Sequence, residues 1–301
     1  MITAEFDPGE VSSADFHAAL VSGERFFVPI DVGVRNALKA ILRDTIDAFE
    51  GLEGDWEAHD ISEDYGERRR IYALRADPLF QTLSDIFDSG ALAELPDLQN
   101  HLAELDYYFA KFVDPDGRMI VGVKKARNAK ATLGAQNKLV RLVDNSLQLI
   151  EERVLRLDRT FDVLLTADHV FILEPRPMEQ VARLVEQVAA SAKAKVQAIH
   201  DAVTFLDLSR VREKIGRHPK LARIAHSVAS NPNLALMQRA VIEELARAQG
   251  IRFKDVNGRL LCNVTDEAKL LEILDARRYH LDLTATGAVP YRATARQAVK
   301  P

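Results

Sequence analysis

The sequence predicts an α+β protein: a central antiparallel sheet with a covering long helix, then a mainly helical C-terminal subdomain containing a β-hairpin. Three observations carry this. Between residues 105 and 173, short strand patterns alternate with tight turns, as in hairpins rather than in a doubly wound parallel sheet. An apolar stripe at helical spacing follows over 178–203. Asn257-Gly258 then separates two strand-like runs, and that dipeptide suits a type I′ turn. With 301 residues, 47% of them hydrophobic, the chain can bury a core without covalent staples.

Residues 1–24 read as polar and irregular, with Pro8-Gly9 as a breaker. Residues 25–30 form a short strand, which Pro29 confines to a sheet edge. Asp31 is placed to cap a helix whose apolar face is Val34, Leu38, Ile41, Leu42, Ile46 and Phe49. An acidic loop covers 50–66. A strand at 68–74 and a helix from Pro78 to about Phe87 follow. The central block opens with an aromatic strand at 107–113. The turn Asp114-Pro115-Asp116-Gly117 reverses it, and Met119, Val121 and Val123 alternate on the return. A helix is expected over 128–143, then short strands at 147–151, 154–157, 161–166 and 170–173.

Pro175 and Pro177 suit a helix start. Met178, Val181, Val185, Val188, Ala192, Val196, Ile199 and Val203 then recur at steps of three and four. A helix covering the sheet explains this stripe, and a partner helix or homodimer seam is the alternative. Further on, Ser209 is placed to cap a short helix ending at Gly216, and Pro219 opens another. A third helix spans 234–248 with Gly250 as its C-cap. The Asn257-Gly258 hairpin and a last helix over 266–277 complete the reading. Composition divides the chain into an acidic segment 1–104, a sheet-and-helix segment 105–206 and a helical segment 207–301.

No run approaches the ~20 apolar residues of a membrane span, and the N-terminus lacks a basic region followed by an apolar one. The one cysteine, Cys262, closes no internal disulfide, so a reducing cytoplasm is the expected compartment. Eight histidines include no pair three or four apart, and no cofactor or metal is expected. Neither phosphate-loop nor dinucleotide glycine motifs occur, and G-x-S-x-G is missing. A metal-dependent nuclease could draw on Asp106, Asp114, Asp116, Asp162, Glu174 and Lys124, yet no compact acidic pair precedes an E-x-K step. A non-enzymatic role is therefore expected.

The net charge of −5 conceals an asymmetry. Residues 1–106 hold 8 Lys and Arg against 23 Asp and Glu, and residues 107–301 hold 32 against 22. Such a split hints at an anionic partner for the basic half, though unevenly sown surface charge produces it too. Cations cluster in 111–141 and in 210–223. The phosphate-contact candidates are Lys124, Lys125, Arg127, Lys130, Arg217, Lys220 and Arg223. Lys254 and Arg259 join them beside the Asn257-Gly258 turn, because three helices and a hairpin follow the order of a winged helix. A helical subdomain packed on the sheet has the same order.

The central block carries a family resemblance. It runs from Tyr107-Tyr108-Phe109-Ala110-Lys111-Phe112, through Met119-Ile120-Val121-Gly122-Val123-Lys124-Lys125, to Phe161-Asp162-Val163-Leu164-Leu165 and Val170-Phe171-Ile172-Leu173, and into Met178-Glu179. This succession, with Leu283-Thr284 and Tyr291 near the end, resembles the KwaB-like family over roughly the last two thirds of the chain. The family pattern often has an aromatic before the acid at Glu179 and Arg-Lys in place of Lys124-Lys125. The resemblance implies the soluble component of the two-protein Kiwa anti-phage system. That component would be a DNA-binding effector hindering phage replication, working with a small membrane-embedded partner that senses infection. It implies no catalytic residues. Inner-membrane recruitment by that partner and self-association are further expectations. An oligomerising interaction scaffold without nucleic-acid binding is the competing reading.

Overall fold

The computed structural model describes residues 2–63, 65, 68–126, 140–143, 146–149, 155–281 and 289–293. The chain forms two compact units: residues 1–59 with 67–184, and residues 60–66 with 185–301.

In the first unit, α1 (Ile2–Glu5) precedes β1 (Ser13–Leu20) and β2 (Arg25–Val28), and α2 (Val32–Glu50) follows. Then come β3 (Glu57–Ala58), β4 (Ile71–Leu74), α3 (Gln81–Phe87) and α4 (Leu98–His101). The central strands are β5 (Leu105–Val113), β6 (Met119–Lys125), β9 (Val163–Leu165) and β10 (His169–Ile172), with a separate hairpin, β7 (Val140–Val143) and β8 (Ser146–Leu149). Helix α5 (Pro175–Val181) closes the unit. Eight strands make one sheet in the order β2-β1-β5-β6-β9-β10-β4-β3. Every neighbouring pair is antiparallel except β3 with β4.

The α+β expectation holds, and several elements differ from it. Residues 13–20 form β1, an interior strand between β2 and β5, where the sequence reads as irregular. The stretch 140–143 is strand, paired in register with 146–149, although the sequence suggests the end of a helix there. Residues 155–157 belong to no strand. β2 ends the sheet, as Pro29 requires, and among the described residues a one-residue bridge from Glu94 to Phe27 lies beyond it.

Helix α2 covers one face of the sheet. Asp31 Oδ1 accepts from Val34 N at 2.7 Å, and Leu38, Leu42, Ile46 and Phe49 are buried against Phe16, Tyr108, Phe112, Phe161 and Phe171. Gly122 is dictated by Phe161: a Cβ there would sit 2.5 Å from the ring, so only glycine admits this approach.

The long apolar stripe is two helices. Arg183 has φ +52°, a left-handed conformation that ends α5 and restarts the chain as α6 (Leu184–Ala202). Val185, just after the break, is 42% exposed, while the other stripe residues, Met178 and Val181 on α5 and Val188, Ala192, Val196, Ile199 and Val203 beyond it, are buried as the stripe predicts.

The second unit continues with α7 (Ser209–Lys214), a 3-10 turn at Ile215–Arg217, α8 (Pro219–Ala229) and α9 (Arg239–Ala248). β11 (Phe253–Val256) and β12 (Arg259–Cys262) form the expected hairpin, with Asn257 at φ +54° and Gly258 at φ +80°, as a type I′ turn demands. Residues 205–207 add a third edge, since Asp207 N donates to Leu260 O and Leu260 N to Phe205 O. Asp207 rather than Ser209 supplies the side-chain acceptor at the start of α7, taking Ser209 N at 3.0 Å. The third helix begins at Arg239, after a 3-10 turn at Leu234–Leu236. Helix α10 (Glu267–Leu274), β13 (Arg278–Leu281) and β14 (Val289–Arg292) end the unit. Ser62, in the short stretch that belongs to this unit, accepts from Arg277 Nη2 on its Oγ at 2.5 Å.

Candidate nucleic-acid interface

The sequence-predicted cations fall into three groups. Arg127 and Lys130 lie outside the described residues. Lys124 and Lys125 are in the first unit. Arg217, Lys220, Arg223, Lys254 and Arg259 are in the second.

The second unit gathers the most available charge. The 3-10 turn delivers Arg217 immediately before α8, and Lys220 sits in that helix's first turn behind Pro219. Both side chains belong to exposed residues, and among the described residues neither has an ion-pair partner. No acid occupies the first turn of α8, and no side chain caps it. Its leading N–H groups therefore keep their positive field, which Arg217 and Lys220 reinforce. Arg210, on the preceding α7, is exposed too. Arg223 is half-buried, with its guanidinium 3.5 Å from Ile61 O.

On the hairpin, Lys254 is exposed and lies opposite Leu261. Arg259 Nη1 stands 2.6 Å from His200 Nε2, so that ring nitrogen serves as acceptor. Between α9 and the hairpin runs an open groove of about 510 Å³. Arg239 in it is neutralised by Glu243 at 2.9 Å and Asp255 at 2.8 Å. Arg247 and Arg252 line it with no ion-pair partner among the described residues. Counting charge runs overlooked these two, because acids stand near them in sequence, though not against them in space.

Lys124 and Lys125 are placed differently. Lys124 Nζ lies 2.7 Å from Asp162 Oδ1, and Lys125 N donates to Asp162 Oδ2 at 2.8 Å. Lys125 Nζ pairs with Asp106. Asp162 is 2% exposed. Burial pushes its carboxyl above the usual range, and the Lys124 ammonium offsets only part of that rise. The other acids weighed for a metal are engaged too: Asp114 and Asp116 with Arg118, and Glu174 with Arg68. Among the described residues no cluster of three ligating side chains could hold a metal ion.

A family model described as Kiwa protein KwaB-like matches residues 102–284. The chain belongs to the KwaB-like family. Its members are components of the Kiwa anti-phage defence system. No curated protein and no solved structure gives a significant match. The KwaB-like match spans β5 to β13, including α7, α8 and the hairpin, and leaves β1 to β4 outside although they share the sheet. Among the described residues no helix is long and apolar enough to cross a membrane.

Proposed function

We propose that this KwaB-like chain is the DNA-binding component of its Kiwa system, and that the corner formed by α7 and α8 provides its main phosphate contacts. Arg217 and Lys220, exposed at the start of α8 and without an ion-pair partner among the described residues, carry the reading. Arg210 on α7 and Lys254 on the hairpin are further exposed cations of the same unit. Contacts of this kind neutralise phosphates without reading bases, so the binding is nonspecific. The role is binding rather than catalysis, which the engaged carboxylates of the first unit support. Following the family, a small membrane-embedded partner brings the chain to the inner membrane.

Duplex affinity measured across a salt series tests this. Counterion release predicts that log K falls linearly with log salt, by about 0.9 per phosphate contact. Changing Arg217 and Lys220 together to alanine should flatten that slope by about 2 and weaken binding at every duplex sequence alike. An unchanged slope removes the proposal.

A further inference from the structure

Within the second unit α8 packs on α10, and a cavity of about 190 Å³ lies against both helices. Val211 of α7, Ile215 of the 3-10 turn and Leu221 of α8 give it apolar walls. Three ionisable residues line it as well: Glu267 in the first turn of α10, Lys214 at the end of α7 and His218 just before α8. Glu267 is 7% exposed, yet its carboxylate has no hydrogen bond and no ion pair among the described residues. Charges buried this far are ordinarily paired. The cavity it lines is where a partner can reach it.

Lys214 lines the same cavity without pairing to Glu267, and it has no other ion-pair partner among the described residues. The start of α8 adds to the positive side. No side chain caps it, and the first N–H groups of a helix have no acceptor within it. Among the described residues no three ligating side chains gather around Glu267, so the cation it lacks is an ammonium rather than a metal ion. An apolar cavity of about 150 Å³ holds a molecule the size of benzene. A cavity of this size with apolar walls and separated charges of both signs therefore suits a small zwitterion with an aliphatic body. An α-amino acid is the compact form of that chemistry.

We propose that this cavity binds a free α-amino acid with an aliphatic side chain. Its ammonium meets Glu267, its carboxylate meets Lys214 and the open N–H groups of α8, and its side chain packs against Val211 and Ile215. The side chains of Arg217 and Lys220 take no part, so this inference and the DNA-binding reading can fail separately.

Titration calorimetry of the full native chain with leucine, isoleucine, valine and three analogues tests this and needs no variant to fold. At least one of the amino acids should bind with a dissociation constant of about 1 mM or tighter. For leucine, leucinamide lacks the carboxylate, 4-methylpentanoate lacks the ammonium and glycine lacks the side chain. Each analogue should bind at least about tenfold more weakly. Glu267→Gln should weaken the amino acid by a similar factor and bind 4-methylpentanoate no more weakly than the native chain does. Ala268→Leu adds bulk to the cavity lining without altering a charge and should abolish binding. No heat from any of the three amino acids at about 10 mM, equal binding of leucine and either charge-lacking analogue, or full affinity in Glu267→Gln overturns the proposal. Amino-acid binding by a chain that has no duplex affinity would remove the α7–α8 proposal and sustain this one.

Discussion

His17 shows how a residue's role depends on neighbours far away in sequence. It lies on β1, 5% exposed, stacked on Phe109 at 4.7 Å and edge-on to Phe27. Burial first, then the charge of Lys111, lowers its pKa to about 4 from an ordinary 6.5, while Asp15 opposes them. The unfolded chain takes up the proton near pH 6.5, and the folded chain holds it off until about pH 4. Between those values the unfolded state binds more protons. Stability from this group is therefore fully present above pH 6.5 and lost as pH falls towards 4. The loss is on the order of 2 kcal/mol after discounting for solvent access. Urea midpoints at pH 7.5 and 5 should differ in the native chain, and His17→Phe should remove most of that difference. An equal pH dependence in both would refute the assignment.

At the scale of elements, local pattern was legible wherever the chain states its own geometry. Asp31 caps α2, Pro29 marks the edge of β2, and Asn257-Gly258 fixes its turn without outside help. β1 was not legible. Ser13–Leu20 contains Asp15, His17 and three alanines, which favour strand poorly, and only pairing with β2 and β5 makes it one. The α5–α6 break was hidden because the stripe keeps its spacing through Arg183, and a single left-handed residue leaves no compositional trace. The break bears on self-association. Val188, Ala192, Val196 and Ile199 are already buried within one chain, so they are unavailable as a seam between copies. Val196→Asp places a charge in this interior. It should cost at least about 3 kcal/mol and lower the melting temperature. A seam between chains would instead yield a folded monomer with unchanged melting, as sedimentation would show.

Across the whole molecule, the charge asymmetry survives in three dimensions with a different division. The unit of residues 1–59 and 67–184 holds 21 Lys and Arg against 30 Asp and Glu, and the other holds 19 against 15. The modest surplus of the second unit matters because Arg217, Lys220 and Lys254 are exposed and unpaired among the described residues. Counting charges along the chain could not separate these from Lys124 and Lys125, whose acids lie 38 and 19 residues away. The two kinds of cation should separate in experiment. Lys124→Met leaves Asp162 buried without its ammonium, and removing one partner of a buried pair costs about 3 kcal/mol or more. Lys124→Met with Asp162→Leu should recover much of that loss, since the stranded charge is gone. Neither variant should alter the salt slope of duplex binding beyond its effect on the folded fraction. Arg217→Glu with Lys220→Glu should do the opposite: stability should stay within about 0.5 kcal/mol, while duplex affinity collapses at low salt. Urea unfolding and binding isotherms on the same preparations make the comparison. A Lys124 variant that folds normally and loses DNA would move the phosphate site to β6, against the internal pairing seen there.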